Sequence, residues 1–124
     1  FDDALYSAAR LLELLSAETR TVEDVFLDFP LATSTPEIKI PTTDKKKFDV
    51  IDALSHNHYF EDGEITTIDG IRVDYDDGWG LIRASNTSPV LTLRFEADSN
   101  EALARIKNTF QTAINRIDPG LVIP

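Results

Sequence analysis

The sequence predicts an α+β fold in which two helices lie on one face of a largely antiparallel sheet. Three observations predict it. Residues 65–95 run as short alternating segments broken by the turn signals Asp69-Gly70 and Ser85-Asn86-Thr87-Ser88-Pro89. That strand-rich stretch is bracketed by two helical patterns, over 46–56 and from about 100 to 117. Ahead of it, residues 30–36 hold Pro30 and Pro36 with Ser and Thr between them, the composition of a linker.

Each element has its own warrant. Residues 2–15 predict an amphipathic helix, because Leu5, Ala8, Leu12 and Leu15 share a face and Asp2 and Asp3 favour the positive end of the dipole. Thr21 with Glu23 and Asp24 reads as an N-cap and acidic first turn of a short helix, which Pro30 ends. Two helices cannot enclose a core by themselves. Residues 1–29 are therefore expected to be the end of a preceding domain, with 30–36 as linker and 37–124 as a domain of its own.

In that domain, residues 37–41 predict a strand, and the helix at 46–56 presents Phe48, Ile51 and Leu54 on one face. Asp69-Gly70 signals a hairpin leading into Ile71, Val73 and Tyr75, which alternate. Residues 79–84 and Leu91, Leu93 and Phe95 give two further strands. The last helix carries Leu103, Ile106, Phe110, Ile114 and Ile117, enters through Asp98-Ser99-Asn100 and closes at Pro119-Gly120.

Composition narrows the function. Within 124 residues the chain can bury one modest core. No apolar run approaches the ~20 residues that span a bilayer. Cysteine is absent, which removes disulfides, thiol catalysis and thiolate metal sites. Methionine is absent too, and the chain opens in a helical pattern, which suggests a piece of a longer protein. A net charge of −10 disfavours nucleic acid and anionic membrane as partners. Lys45-Lys46-Lys47, beside Asp44 and Asp49, reads as a solvated helix entrance.

The turn from Arg83 to Pro89 is the richest in chemistry. One guanidinium, three hydroxyls, an amide and several backbone N–H groups crowd between two strands. Phosphate wants such a set, a bidentate cation with short neutral donors around it. Ordinary polar hairpin turns use the same residue types, so the residues alone leave both readings open. Trp79, Leu81 and Arg83 share one side of their strand, so the Arg83 stem can rest on apolar neighbours. Charge-assisted hydrogen bonds contribute ~1.5–3 kcal/mol each, against an association cost of ~4–15 kcal/mol. Three or four leave about −4 kcal/mol, millimolar affinity.

Residues 1–15 from Phe1 to Leu15, Ser34-Thr-Pro-Glu-Ile38, Ile65-Thr-Thr-Ile-Asp-Gly-Ile-Arg-Val-Asp-Tyr75 and Gly78-Trp-Gly-Leu-Ile-Arg-Ala-Ser-Asn-Thr-Ser-Pro-Val90 occur in this order. Together they resemble the C-terminal part of bacterial phosphomannomutase/phosphoglucomutase, in the α-D-phosphohexomutase superfamily. The resemblance runs along essentially the whole chain. Related branches usually carry Ser-Gly-Thr in the turn, and Ser85-Asn86-Thr87 favours the phosphomannomutase/phosphoglucomutase branch.

The resemblance implies the end of the third domain followed by the fourth, with a fold like that of the TATA-box-binding protein. It implies a cytoplasmic enzyme that interconverts mannose or glucose 1-phosphate and 6-phosphate through a phosphoserine and a bisphosphorylated sugar, with Mg²⁺ assisting. Arg83, Ser85, Asn86 and Thr87 match the positions that hold the non-reacting phosphate, and Pro30 the hinge for closure. The serine, metal and sugar-recognition loops would lie upstream. The chain itself is then expected to bind no metal and to be inactive in isolation, with its own missing domains as partners. The alternative class is a non-catalytic acidic α+β regulatory or interaction module.

Other candidates carry less. His56 and His58 at i, i+2 point apart and have no completing carboxylate, so they read as exposed histidines rather than metal ligands. Asp74, Asp76 and Asp77 before Gly78 fit a polar turn, since a calcium loop needs its glycine elsewhere. Ser7 lies on the first helix and is not the family's nucleophile.

Overall fold

The computed structural model describes residues 2–30, 32–56 and 59–124. The chain divides into two units, residues 1–31 and 32–124.

The first unit contains α1 (Ala4–Ser16) and α2 (Val22–Phe26). Asp3 caps α1 by accepting from the Tyr6 N–H at 2.9 Å, and Thr21 caps α2 through the Asp24 N–H at 3.2 Å. Arg20 bonds Asp28 at 2.7 Å and Glu18 at 3.3 Å, which holds its guanidinium pKa above the ordinary value. Neither helix buries a residue.

The second unit runs β1 (Thr33–Ser34), β2 (Ile38–Pro41), α3 (Asp44–His56), β3 (Glu64–Thr66), β4 (Ile71–Tyr75), β5 (Gly78–Ala84), β6 (Val90–Ala97) and α4 (Asn100–Ile117). All strand pairs are antiparallel, in the order β1-β6-β5-β4-β3, with β2 also on β6. β1 and β2 thus share one edge of β6, separated by Pro36, which has no N–H for the ladder. Thr35 bridges the gap. Its N–H donates to the Phe95 carbonyl at 3.0 Å, and its hydroxyl accepts from the Phe95 N–H at 3.2 Å. The stretch expected to be all linker therefore contributes to the sheet edge.

Alternation sends Ile38 and Ile40, Ile71 and Val73, Ile82, and Leu91, Leu93, Phe95 and Ala97 to the buried face. α3 and α4 cover that face, α4 through Ile106, Phe110, Ala113 and Ile114. Phe110 packs on Phe60 with tilted rings at 4.7 Å and meets Phe95 edge-on at 5.2 Å, the aromatic centre of the core. Gly80 makes this approach possible, because a Cβ there would stand 2.5 Å from the Phe110 ring.

α3 turns Leu54 into the core and packs Ile51 partly against it as expected, but Phe48 departs from that face. Lys47, Val50 and Leu54 are its buried residues, while Phe48 is exposed. After α4 the chain folds back. Gln111 accepts from the Ile123 N–H at 2.6 Å and donates to the Leu121 carbonyl at 3.0 Å, seating Leu121 and Ile123 in the core. Among the described residues no helix is long and apolar enough to cross a membrane.

Candidate phosphate-binding site

The face of the sheet away from the helices carries the polar alternates. Register aligns Lys39 on β2 with Thr92 on β6, and Thr92 with Arg83 on β5. Directly opposed residues share a face, so two cations flank one hydroxyl across three strands. Thr92 is buried between them. Its hydroxyl accepts from Arg83 Nε at 3.3 Å and donates to the Arg83 carbonyl at 3.4 Å, which fixes the root of the guanidinium. Arg83 Nη1 donates to Asp69 Oδ2 at 3.1 Å. A guanidinium has five N–H donors, so most of this fork stays available, with the side chain 46 % exposed.

The β5–β6 turn is tied down from within and from below. Ser85 N–H donates to the Val90 carbonyl at 3.1 Å and Val90 N–H to the Ser88 carbonyl at 2.9 Å. The Ser85 hydroxyl oxygen accepts from the N–H groups of Ser88 at 3.2 Å and Thr87 at 3.4 Å, leaving its proton free to donate outward. From below, Thr42 N–H donates to the Pro89 carbonyl at 2.9 Å. Several backbone N–H groups that the sequence offered to a ligand are therefore engaged in shaping the turn.

Arg83, Ser85, Thr87 and Ser88 line a cleft of about 270 Å³ together with Glu37, Lys39, Val90 and Thr92. Of the four residues singled out in the sequence, three meet there. Asn86 is exposed on the turn and does not line the cleft. Lys39 and Glu37, paired at 3.2 Å, are cleft residues that sequence reasoning missed. Alternation within Ile38-Lys39-Ile40 turns Lys39 outward, but only the pairing of β2 with β6 brings it beside Arg83.

Lys47 corrects a second expectation. The lysine run is a solvated entrance only in part: Lys45 and Lys46 are exposed, with Lys46 paired to Asp118, but Lys47 is 3 % exposed. Lys46 and the Gly120 N–H, at 2.9 Å, hold the Asp118 carboxyl below the ordinary carboxylate range.

A larger cleft of about 500 Å³ runs along α4, lined by Tyr59, Arg105, Asn108, Thr109 and Arg116 among others. Its guanidiniums are already engaged: Arg105 pairs with Asp77 and lies over Tyr75 at 5.2 Å, and Arg116 lies over Tyr59 at 5.5 Å. An adjoining pocket adds the carboxylates of Glu61 and Asp62 and the buried Tyr75 hydroxyl, whose pKa burial pushes up. These acids disfavour an anion there.

The other carboxylates and His56 lie apart from the cleft. Asp74 is gripped by Arg72 at 2.6 Å and 2.9 Å, and Arg72 in turn covers the Trp79 ring at 4.2 Å. His56 is exposed on Asp52, while Asn57 and His58 lie outside the described residues. Among the described residues no group of three or more potential ligands gathers to hold a metal. Ser7 donates to the Asp3 carbonyl at 3.0 Å within α1.

Comparison with known proteins agrees with this architecture. Residues 37–113 match the family model described as the phosphoglucomutase/phosphomannomutase C-terminal domain. Over all 124 residues the chain is 56 % identical to a phosphomannomutase/phosphoglucomutase of Pseudomonas putida, covering 27 % of that protein. It is 49 % identical to a phosphoglucomutase of Neisseria meningitidis serogroup B, again over the whole chain and 27 % of the relative. A crystal structure of a phosphoglucomutase/phosphomannomutase family protein from Burkholderia thailandensis superposes with a TM-score of 0.84 at 44 % identity, covering 100 % of this chain and 26 % of that one. The chain thus spans about a quarter of the length of the relatives it matches. It belongs to the phosphoglucomutase/phosphomannomutase family, whose C-terminal domain it carries.

Proposed function

We propose that the turn from Arg83 to Ser88 grips the non-reacting phosphate of a hexose phosphate in a phosphohexomutase. The carrying observation is the cleft at the β5–β6 turn, where a half-exposed guanidinium rooted on Thr92 faces the hydroxyls of Ser85, Thr87 and Ser88. Family membership supplies the reaction class, exchange of the 1- and 6-phosphates of mannose or glucose. A phosphoserine on another part of the protein donates its phosphoryl group to the free sugar hydroxyl. The resulting bisphosphorylated sugar reorients and returns its other phosphoryl group to the serine.

The same phosphate grip must serve both orientations of the sugar. Donors that read phosphate oxygens and not the ring meet that need, and positioning accounts for much of phosphoryl-transfer catalysis. Asn86, exposed at the tip of the turn, joins the grip once substrate is seated. Residues 1–29 end the preceding domain, and Pro30 is the hinge through which the C-terminal domain closes over substrate. The donor set at the turn, cationic and hydroxylic, suits an anion and does not suit Mg²⁺, which wants carboxylates and water. The metal assisting transfer is held elsewhere in the cytoplasmic enzyme, and this chain alone has no mutase activity.

The test is an amide NMR titration of the 124-residue chain with inorganic phosphate and with mannose 1-phosphate. Saturable shifts confined to residues 83–88, equal for both ligands and lost in Arg83→Ala, are expected. Shifts indifferent to Arg83→Ala would sink the reading.

A further inference from the structure

Lys47 is the most deeply buried charged side chain among the described residues, at 3 % exposure. A buried ammonium is costly unless its donors are satisfied. Here they are. Nζ donates to Asp44 Oδ1 at 2.7 Å and to the Ser88 carbonyl at 3.0 Å, and it lies 5.1 Å from the centre of the Phe48 ring. Asp44 and Phe48 belong to α3, as Lys47 does. Ser88 lies 41 residues away, in the turn above Arg83. The ammonium is too enclosed to reach a ligand in the cleft, so its bond to the turn does something else.

The Ser88 carbonyl accepts two bonds at once, from Lys47 and from the Val90 N–H at 2.9 Å. Both lone pairs are then occupied, and the orientation of the peptide between Ser88 and Pro89 is fixed. Pro89 has no N–H with which to offer an alternative pairing. Its carbonyl is held in turn by Thr42 N–H, just ahead of α3. The C-terminal half of the turn is thus clamped to the start of α3 by two bonds, one from a buried cation. The N-terminal half is clamped to β6 through Arg83 and Thr92.

We propose that Lys47 is a positioning residue for the phosphate grip. It holds the turn in its binding geometry before ligand arrives, so that phosphate does not have to order the loop. Ordering a loop on binding subtracts from affinity. The inference rests on the phosphate-gripping reading above.

The experiment compares wild type, Lys47→Met, Lys47→Arg and Arg83→Ala as 124-residue chains. Inorganic phosphate is titrated by amide NMR, and hydrogen exchange is followed at each amide. Lys47→Met keeps the apolar stem and removes the ammonium. It is expected to weaken phosphate binding by up to about tenfold and to speed exchange at Ser85, Ser88, Val90 and Thr42, while Leu93 and Phe95 exchange as in wild type. Lys47→Arg, which keeps a cation, is expected to recover part of the affinity. Equal affinity in Lys47→Met and wild type would overturn the inference, as would faster exchange spread evenly through the core.

Exchange in unliganded wild type gives a check that needs no variant. Slow exchange at Ser85, Val90 and Thr42 without phosphate supports a pre-formed turn, whereas protection appearing only with phosphate overturns it. Wild type that does not bind, or binding that survives Arg83→Ala, removes the phosphate reading and with it the positioning role. Loss in Arg83→Ala alone removes only the role of Lys47.

Discussion

Asp69 and Arg83, fourteen residues apart, form an ion pair with Asp69 Oδ2 3.1 Å from Arg83 Nη1. Both side chains are substantially exposed, so the pair is worth no more than about 1 kcal/mol. A doubly charged phosphate can therefore displace the carboxylate, and the carboxylate opposes it. Asp69→Asn is expected to tighten phosphate binding by up to about fivefold. Titrations of both chains at low and high salt would check it, the difference between them shrinking as salt screens the pair.

Gly70 stands beside that pair with φ +81, and a Cβ there would lie 2.6 Å from the Arg83 Cβ and 2.3 Å from the Ile82 carbonyl oxygen. Gly70→Ala is expected to destabilise the domain by about 1–3 kcal/mol, the usual cost of a strained backbone position. It should also push Arg83 out of line. Urea unfolding would give the first effect, and phosphate affinity of the folded variant the second.

Phe110 is fully buried against Phe60 and Phe95. Phe110→Ala should cost about 3–5 kcal/mol, a large share of the ~5–15 kcal/mol that holds a typical domain. Thermal unfolding should show a much lowered midpoint or no transition. An unchanged midpoint would mean that α4 does not pack on the sheet as described.

Asp118 gives the stability a defined pH dependence. Lys46, and then the Gly120 N–H, depress its folded pKa. A depressed carboxyl stabilises the fold above its unfolded pKa of about 4 and loses that contribution as pH falls through the folded value. Asp118→Asn should therefore be less stable than wild type at neutral pH. The difference should shrink in acid, measured as unfolding midpoints from neutral pH down to below the carboxylate range.

Much of this molecule follows from its sequence by itself. The period-two and helical patterns set the strands around residues 65–95 and the helix of Ile106, Phe110 and Ile114, because a residue's neighbours along the chain decide which face it shows. Asp69-Gly70, the Thr21 cap and the entry to the last helix through Asp98-Ser99-Asn100, where Ser99 caps α4, were legible for the same reason: turn and cap chemistry is local. So was the cluster of Arg83 with Ser85 and Thr87.

What the sequence could not supply is whatever depends on pairing between distant segments. Lys39 joins Arg83 only through the β2–β6–β5 register, and the edge role of Thr33 and Ser34 comes from the same strand. The helix expected to bury Phe48 instead buries Lys47 and Val50, because the Ser88 carbonyl and Asp44 satisfy the ammonium inside. A lysine in a charged run looks solvated until a carbonyl 41 residues away turns out to be its partner. Local propensity chose the elements; long-range hydrogen bonding decided which polar groups could be buried, and so what shaped the cleft.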